Sequence, residues 1–583
     1  MLLTQNPSFC LSYKKCEKTK VSHPFNKFTN FQLFCKTNDI PLFHNNENKY
    51  LTRNNAGKMA VYNGYHYFPT LHHPLELELT TSALQTELYD KDENDGIGIV
   101  EFFEGKNIFI TGGTGLLGKA FIEKVLRSTS VGKIYILIKA DDKGSARDRL
   151  DKEIISSELF KCLREKHGDS LEEFLKEKLI PVVGNICEPN LGMDSKDALV
   201  IKKEVDVIIQ SAASTTLNER YDILLDMNVN APQRLMRFAK TCKHLKLFVH
   251  ISTAYVNGRK EGLILEKPLM MGENGRKDNN DDEDNCTSSN SFPRLDLADE
   301  ISLAMKACRA SPEYDVAKDL KRLGQERADL YGWYNAYHLT KAMAEMVLNE
   351  MRENTPLLII RPTVIESSYK EPCPGWIQGN RMFDPVIISY GKGQLPAFLA
   401  NPQEHMDIIP VDIVVNSTIA AIAKHGSTHY KPQINVYHVA SGVANPLRFS
   451  EFFEIIHKYF NSSSSKNNIR KIKCFNDFND FSKYTRDVIS QVHGGAVKIN
   501  GAVKRYKAKV MYAEQLCKMY EFIGFFQGRF HTGNTQKLLT EMSEEEQLDF
   551  EIDVKNIDWT KYFLEAHIPG LEKYVLSGIK ISA

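Results

Sequence analysis

The sequence predicts an α/β fold, a doubly wound parallel sheet with a small helical domain at its C-terminal end. Three observations carry that expectation. From Lys106 onward, short apolar runs alternate with longer amphipathic ones, the rhythm of strand, crossover helix and parallel strand. Several of the short runs are apolar throughout, as strands covered on both faces must be. The first of them leads into a glycine-rich turn followed at once by a helical pattern.

In chain order the expected strands are Asn107–Thr111, Lys133–Ile138, Ile180–Val183, Val205–Ile209, Leu245–Ile251 and Leu357–Ile360. After the fifth comes a polar stretch, Gly272–Ser291, carrying Asp278, Asp281, Asp282, Glu283 and Asp284, which reads as a solvated surface insertion. Four consecutive serines within Asn461–Asn468 mark a second break. Beyond it Lys504–Phe526 reads as a helix, and Ile557–Leu576 carries apolar residues at helical spacing, Trp559, Tyr562, Phe563, Leu571 and Tyr574. The expected organisation is a leader over 1–58, an extension over 59–104, the parallel-sheet domain over 105–460 with its acidic insertion, a linker over 461–503 and a helical domain over 504–583.

A chain of 583 residues is longer than one core usually serves, which fits two folded parts and a tail. Basic and acidic residues balance at 74 each, arguing against a nucleic-acid partner. No apolar run approaches the ~20 residues that cross a bilayer, so any membrane contact would be peripheral. The eleven cysteines form no C-x-x-C pair and no Cys/His cluster at zinc spacing, so they read as reduced small hydrophobes and no metal site is expected. The first 58 residues hold nine Lys or Arg against Glu17, Asp39 and Glu47, with many Ser, Thr and Asn. That bias is typical of an organellar transit peptide. A merely disordered basic terminus on a cytoplasmic or endoplasmic-reticulum-associated protein has the same composition.

Thr111, Gly112, Gly115 and Gly118 give the spacing T-G-x-x-G-x-x-G of a dinucleotide-binding, Rossmann-type turn. The early glycines permit the turn and the approach of backbone N–H groups to a pyrophosphate, and the last lets helix and strand pack closely. Gly113–Lys119 also fits the start of a nucleoside-triphosphate loop, but the pattern fails at Ala120, where a hydroxyl must hold magnesium. A second motif, Tyr337-His-Leu-Thr-Lys341, puts a phenol and an ammonium on one helix face, so that the cation can favour the ionised phenol. The third is His250-Ile-Ser-Thr-Ala-Tyr-Val-Asn-Gly258 at the end of the fifth strand, where Ser252 and Thr253 would face the ligand crevice. At the end of the second strand stands Lys139, with Arg149 on the next helix; both suit a 2′-phosphate, while Asp141 and Asp142 keep the unphosphorylated cofactor open.

Together these residues resemble the extended short-chain dehydrogenase/reductase superfamily and, within it, the plant fatty acyl reductases, in particular the plastid-targeted branch that includes the male-sterility protein. The resemblance runs from about Gly105 to near the C-terminus. Its pieces are Leu217–Asn228, Tyr337–Met346, Arg361–Thr363, Tyr369–Trp376, Tyr390–Lys392, Asp407–Asp412, Arg529-Phe530, Asn534-Thr535 and Ile557–Trp559. Leu116 stands where the family usually has phenylalanine, and Asn185 where it usually has an aspartate facing adenine.

The resemblance implies an alcohol-forming, NADPH-dependent reductase of long-chain acyl thioesters, with coenzyme A or acyl carrier protein as the thiol carrier. The catalytic set it implies is Thr253, Tyr337 and Lys341, the threonine selected over Ser252 by counting back from the matching glycine, and the lysine also holding the nicotinamide ribose. The cofactor set it implies is Thr111, Gly112, Thr114, Gly115, Leu116, Leu117, Gly118, Lys139, Arg149, Asn185, Ile186, Ser211, Ala212, Tyr337, Lys341 and Pro362. Two other functions share the motifs: a sugar-nucleotide epimerase or dehydratase, and a silent nucleotide-binding regulator. The first needs a diphosphate clamp that Arg361–Asp412 does not offer, and the intact Thr253, Tyr337 and Lys341 speak against the second.

Overall fold

Seven short runs rich in Ile, Val, Leu and Phe pair edge to edge because their two apolar faces can be covered only by helices on both sides. A computed structural model describes residues 96–276, 294–427, 433–461, 469–492 and 500–581. The leader, most of the extension, the acidic run Asp278–Asp284 and the four serines lie outside the described residues. The strands are β1 (Ile108–Thr111), β2 (Ile134–Ile138), β3 (Leu179–Val183), β4 (Val207–Gln210), β5 (Leu247–Ile251), β6 (Leu357–Pro362) and β7 (Ile434–Val439). All neighbours are parallel, in the order β7-β6-β5-β4-β1-β2-β3. The chain therefore reverses its direction of travel across the sheet between β1 and β4, which opens a crevice at their carboxyl ends.

Six of the seven strands fall where the sequence places them, with ends differing by one or two residues. The seventh, β7, is not among the expected strands. Its run Ile434-Asn-Val-Tyr-His-Val439 mixes apolar residues with Asn435, on the half-exposed start of the strand, and His438, which is fully buried with its Nδ1 2.9 Å from the His531 carbonyl.

Helix α1 (Leu116–Ser128) follows the glycine turn and packs against α2, the later helix Val411–Ser427. The C-terminal elements do not stand apart from the sheet. One hydrophobic cluster joins strand residues Ile110 and Ile360 to Tyr562, Phe563 and Ile568. Phe383 stacks on Tyr520 with centroids 5.3 Å apart, and Phe452 meets Phe563 edge-on at 5.2 Å. Each buried aromatic of this kind stabilises by roughly 1.5–3 kcal/mol, so the segment is held by its core and not by a tether. Strand Gly528–Phe530 adds a parallel pair to Gly262–Ile264, just beyond the β5 loop.

Candidate active site

Thr111 closes β1, and its hydroxyl donates to the Ile209 carbonyl at 3.5 Å while accepting from the Ala212 N–H at 3.4 Å. Gly112 then takes φ +77°, and a Cβ there would lie 2.6 Å from the Ala212 nitrogen and 2.8 Å from the Ser211 carbonyl carbon. Only glycine fits against that backbone. A Cβ on Gly118 would lie 2.3 Å from the Gly112 oxygen, so the last glycine of the motif lets α1 seat on the turn. Gly115 caps the helix and brings no side chain to its leading N–H groups. Those donors and the helix dipole are what a pyrophosphate needs, and Thr114, Leu116 and Leu117 lie on the same turn.

At the carboxyl ends of β2 and β3 lies a cleft of about 450 Å³, walled by Lys139, Asp141, Ser145, Arg149, Gly184 and Asn185, among others. Lys139 is exposed there. The Arg149 guanidinium bridges the Lys139 carbonyl at 2.7 Å and the Glu153 carboxylate at 2.7 Å. The Asn185 amide oxygen accepts from the Cys187 N–H at 3.1 Å and its amide donates to Glu188 at 2.9 Å, which fixes the side chain in a tight local turn. Ile186 is buried in the apolar cluster beneath. The cradle, the helix end and this cleft fit a dinucleotide of the nicotinamide class.

Tyr337 and Lys341 sit on α3 (Ala336–Met351), started by Asn335, whose side chain accepts from the His338 N–H at 3.0 Å. Lys341 is 1% exposed, and its ammonium donates to the Ile251 carbonyl at 2.6 Å and lies 3.4 Å from His250 Nε2. Burial pulls its pKa down to about 8 against a weaker upward pull from Glu345. Burial likewise pushes the Tyr337 phenol up to about 12. This differs from the phenol favoured in its ionised form that the spacing alone predicts: the ammonium is committed to the end of β5, and desolvation governs the phenol. Tyr337 thus stays protonated at neutral pH, the state a proton donor requires.

Thr253 and Ser252 continue from β5. The Thr253 oxygen accepts from the Tyr255 N–H at 3.4 Å and caps the short helix Ala254–Asn257, which leaves its own proton free to donate. The Ser252 hydroxyl is buried without a hydrogen-bond partner, while its backbone N–H is held by the Ile360 carbonyl at 2.7 Å. Both hydroxyls therefore stay candidates to meet a substrate oxygen. Pro362 ends β6 beside them.

The wall next to these groups is aromatic and comes largely from the C-terminal segment. The Tyr255 ring packs on Phe522, Phe526 and Phe530 with centroids 5.6, 5.4 and 5.4 Å away and stacks on His338 at 5.4 Å. Tyr334 meets Phe522 at 5.4 Å, and both are only half-buried, as is Tyr337.

A family profile for an NAD-binding domain, described as male sterility protein, matches residues 110–418, and a second profile of the same description matches 484–578. Over 507 residues the chain is 46% identical to fatty acyl-CoA reductase 2, chloroplastic, of Arabidopsis thaliana, covering 83% of this chain and 80% of that one. The chain belongs to the fatty acyl-CoA reductase family. Its reach within that family includes the alcohol-forming fatty acyl-CoA reductase of Simmondsia chinensis, 37% identical over 82% of this chain and 99% of that one. Like its relatives it is an oxidoreductase with a nicotinamide cofactor. Among solved structures, the terminal R domain of the myxalamid biosynthetic pathway superposes with a TM-score of 0.51 at 15% identity, over 82% of this chain and 93% of that one, a likeness of fold.

Sequence reasoning gave no role to several residues the structure brings to this region. His250 lies under Lys341 with its Nδ1 unpartnered, and burial with the nearby Lys341 and Arg361 charges holds its pKa well below the usual imidazole range. Arg361 forms a fully buried pair with Glu345 at 2.5 Å, one turn after Lys341 on α3, and fixes that helix to β6. His250 and Arg361 do stand inside the recognised motifs. Phe530 stands in the Arg529-Phe530 piece of the resemblance, whereas Phe522 and Phe526 carry no local mark, because an aromatic stripe near a helix end reads the same whether it faces a core or a substrate.

Proposed function

We propose that this chain reduces a long-chain fatty acyl thioester to the primary fatty alcohol by two successive hydride transfers from NADPH, with the aldehyde retained between them. The observation that carries the reading is the grouping at the end of β5 of a buried Lys341 ammonium, held by the Ile251 carbonyl, the Ser252 and Thr253 hydroxyls that follow that strand, and the half-buried Tyr337 phenol one turn before Lys341 on the same helix. The bound nicotinamide supplies hydride to the carbonyl carbon. Thr253 and Tyr337 hold the thioester oxygen and polarise it, and Tyr337 gives it a proton as hydride arrives. The hemithioacetal so formed on the substrate expels its thiol, whose sulfur takes the hydroxyl proton, and leaves the aldehyde, while a proton from solvent restores the Tyr337 phenol. The same donors then hold the aldehyde oxygen, a better electrophile, and the second reduction yields the alcohol. Lys341 orients the cofactor's ribose and keeps a positive charge near the developing alkoxide.

NADPH is favoured over NADH by Lys139 and Arg149 in the β2–β3 cleft, although Glu153 and Asp141 temper that field. The half-buried faces of Tyr334 and Phe522 offer the acyl chain an apolar path beside Tyr337, at ~0.8 kcal/mol per methylene buried. On this reading residues 105–460 carry the chemistry and 504–583 complete its wall. The basic, acid-poor leader 1–58 directs the chain to plastids, where the acyl donor is acyl carrier protein. Product analysis against cofactor use tests the scheme with both thiol carriers: two NADPH per alcohol are expected, and one NADPH per released aldehyde would replace it with a single-step reduction.

A further inference from the structure

Away from the crevice, three segments bring Glu366, Asp384 and His567 together in the interior. Glu366 ends a short strand, Val364–Glu366, that follows β6; Asp384 opens the helix Asp384–Gly391; His567 comes from the C-terminal helical turns. All three are 1% exposed or less. One oxygen of each carboxylate and one nitrogen of the imidazole lie within 4.8 Å of one another. His567 Nε2 is 3.2 Å from Asp384 Oδ1 and 3.9 Å from Glu366 Oε2.

Each side chain is anchored at its outer atom and bare at its inner one. The Phe383 N–H donates to Glu366 Oε1 at 3.1 Å, and the Arg381 N–H donates to Asp384 Oδ2 at 2.7 Å. His567 Nδ1 lies 2.9 Å from the Ser367 hydroxyl, which is itself 3.1 Å from the Tyr562 phenol. The three atoms left without a hydrogen-bond partner are Glu366 Oε2, Asp384 Oδ1 and His567 Nε2, the same three that converge. Carboxylate oxygens converging with an imidazole nitrogen in a water-poor interior need a shared proton or a cation between them, because the Arg381 guanidinium nearby supplies only one positive charge for two carboxylates. An outer atom fixed by a backbone N–H or a hydroxyl, with the inner atom free, is the way proteins orient metal ligands. Ligand atoms around a tetrahedral zinc ion stand about 3.4 Å apart, between the two distances measured here.

The geometry points to a structural divalent transition-metal ion, of the zinc class, held by Glu366, Asp384 and His567. The mixed imidazole and carboxylate set suits zinc, manganese or iron better than magnesium or calcium. The ion ties the C-terminal segment to the chain just beyond β6, and its two positive charges offset the two buried carboxylates. It takes no part in the reductase chemistry proposed above.

The test uses the full chain, produced in medium supplemented with ZnCl2 and passed over a chelating resin before elemental analysis. About one equivalent of transition metal per chain is expected, falling below about a tenth in His567→Ala and in Glu366→Gln. Because either variant can fail to fold, Ser367→Ala is measured as well. It keeps all three ligands and frees the imidazole, while the Tyr562 phenol retains its bond to the Ser367 carbonyl at 2.8 Å, and it should hold the ion ~10-fold or more less tightly. Unfolding the wild type in urea with a strong chelator and refolding it should lower its melting temperature, and ZnCl2 added during refolding should restore it. A wild type that emerges folded with less than a tenth of an equivalent of any transition metal, or metal content unchanged in His567→Ala, would overturn the assignment.

Discussion

Replacing Lys341 with methionine separates what the ammonium costs the fold from what it gives the reaction. The side chain is 1% exposed and its pKa falls from 10.5 to about 8 because burial disfavours the charge. At about 1.4 kcal/mol per pH unit, the fold bears roughly 3 kcal/mol to keep this amine charged near neutral pH. Methionine has nearly the same reach and no charge, so it recovers that cost. It also abandons the 2.6 Å bond to the Ile251 carbonyl, and an acceptor left bare in the interior costs about 1–2 kcal/mol. The balance favours the variant by about 1–2 kcal/mol at pH 7, while turnover falls by ~10²-fold or more for want of the positive charge at the site.

The pH dependence supplies the stricter test. Below pH 8 the ammonium is present in both folded and unfolded chains, and the wild type bears its whole desolvation cost. Above 10.5 the amine is neutral in both, and the cost vanishes. Between those limits the unfolded chain binds more protons than the folded one, so the stability of the wild type rises with pH relative to Lys341→Met. Melting temperatures of the two proteins, taken without cofactor from pH 6.5 to 10.5, should therefore converge and then cross as pH rises. A variant less stable than wild type at pH 7, with a gap that stays constant up to pH 10.5, would refute the reasoning, and it would mean that the ammonium's contacts outweigh its desolvation.

Three further outcomes are expected. Tyr337→Phe should lower turnover by ~10²-fold or more with NADPH affinity retained, read from cofactor fluorescence titration; near-normal turnover would remove the phenol from the mechanism. Thr253→Ala should cost 10²–10³ in turnover and Ser252→Ala less than about tenfold, and the reverse order would move the substrate-binding hydroxyl to Ser252. Lys139→Asp should weaken NADPH by about 10–100-fold and leave NADH nearly unchanged, because an attraction to the 2′-phosphate becomes a repulsion; equal loss for both cofactors would place the 2′-phosphate elsewhere.

The parallel sheet was legible in the sequence because strands buried on both faces leave little room for polar residues, and Ile134–Ile138 or Leu357–Ile360 can hardly be read otherwise. The edge strand Ile434–Val439 was not, since the half-exposed Asn435 and the buried, hydrogen-bonded His438 interrupt its apolar run and the alternation is too short to separate from a loop. The positions of Tyr337, Lys341, Ser252 and Thr253 could be read because short motifs fix them to element ends. Their charge states could not: spacing puts a cation near a phenol, but only the burial of both, and the commitment of Lys341 to Ile251, shows that the phenol stays protonated. Contacts between distant segments left no local trace at all. Nothing near Glu366 or Asp384 announces His567, and nothing near Tyr255 announces Phe530.

On the proposed two-step scheme, those long-range contacts bear on how one site could perform both reductions. After the first, the cofactor must be exchanged while the aldehyde stays, so whatever holds the acyl chain cannot depend on the cofactor being present. The aromatic wall meets that condition, because its parts are fixed from outside the crevice. Phe530 belongs to the strand paired with Gly262–Ile264, Phe526 stacks on it at 5.3 Å, and Phe522 stands on the preceding helix. Farther along, the Glu546 carboxylate accepts from the N–H groups of Ile97, Gly98 and Ile99, each at 2.8 Å, and His567 is locked between Glu366 and Asp384. The C-terminal segment is thus fastened to the rest of the chain at several places, none of those named on the glycine turn. A nucleotide can leave the turn without disturbing any of these attachments, and the surface beside Tyr337 keeps its shape for the second hydride.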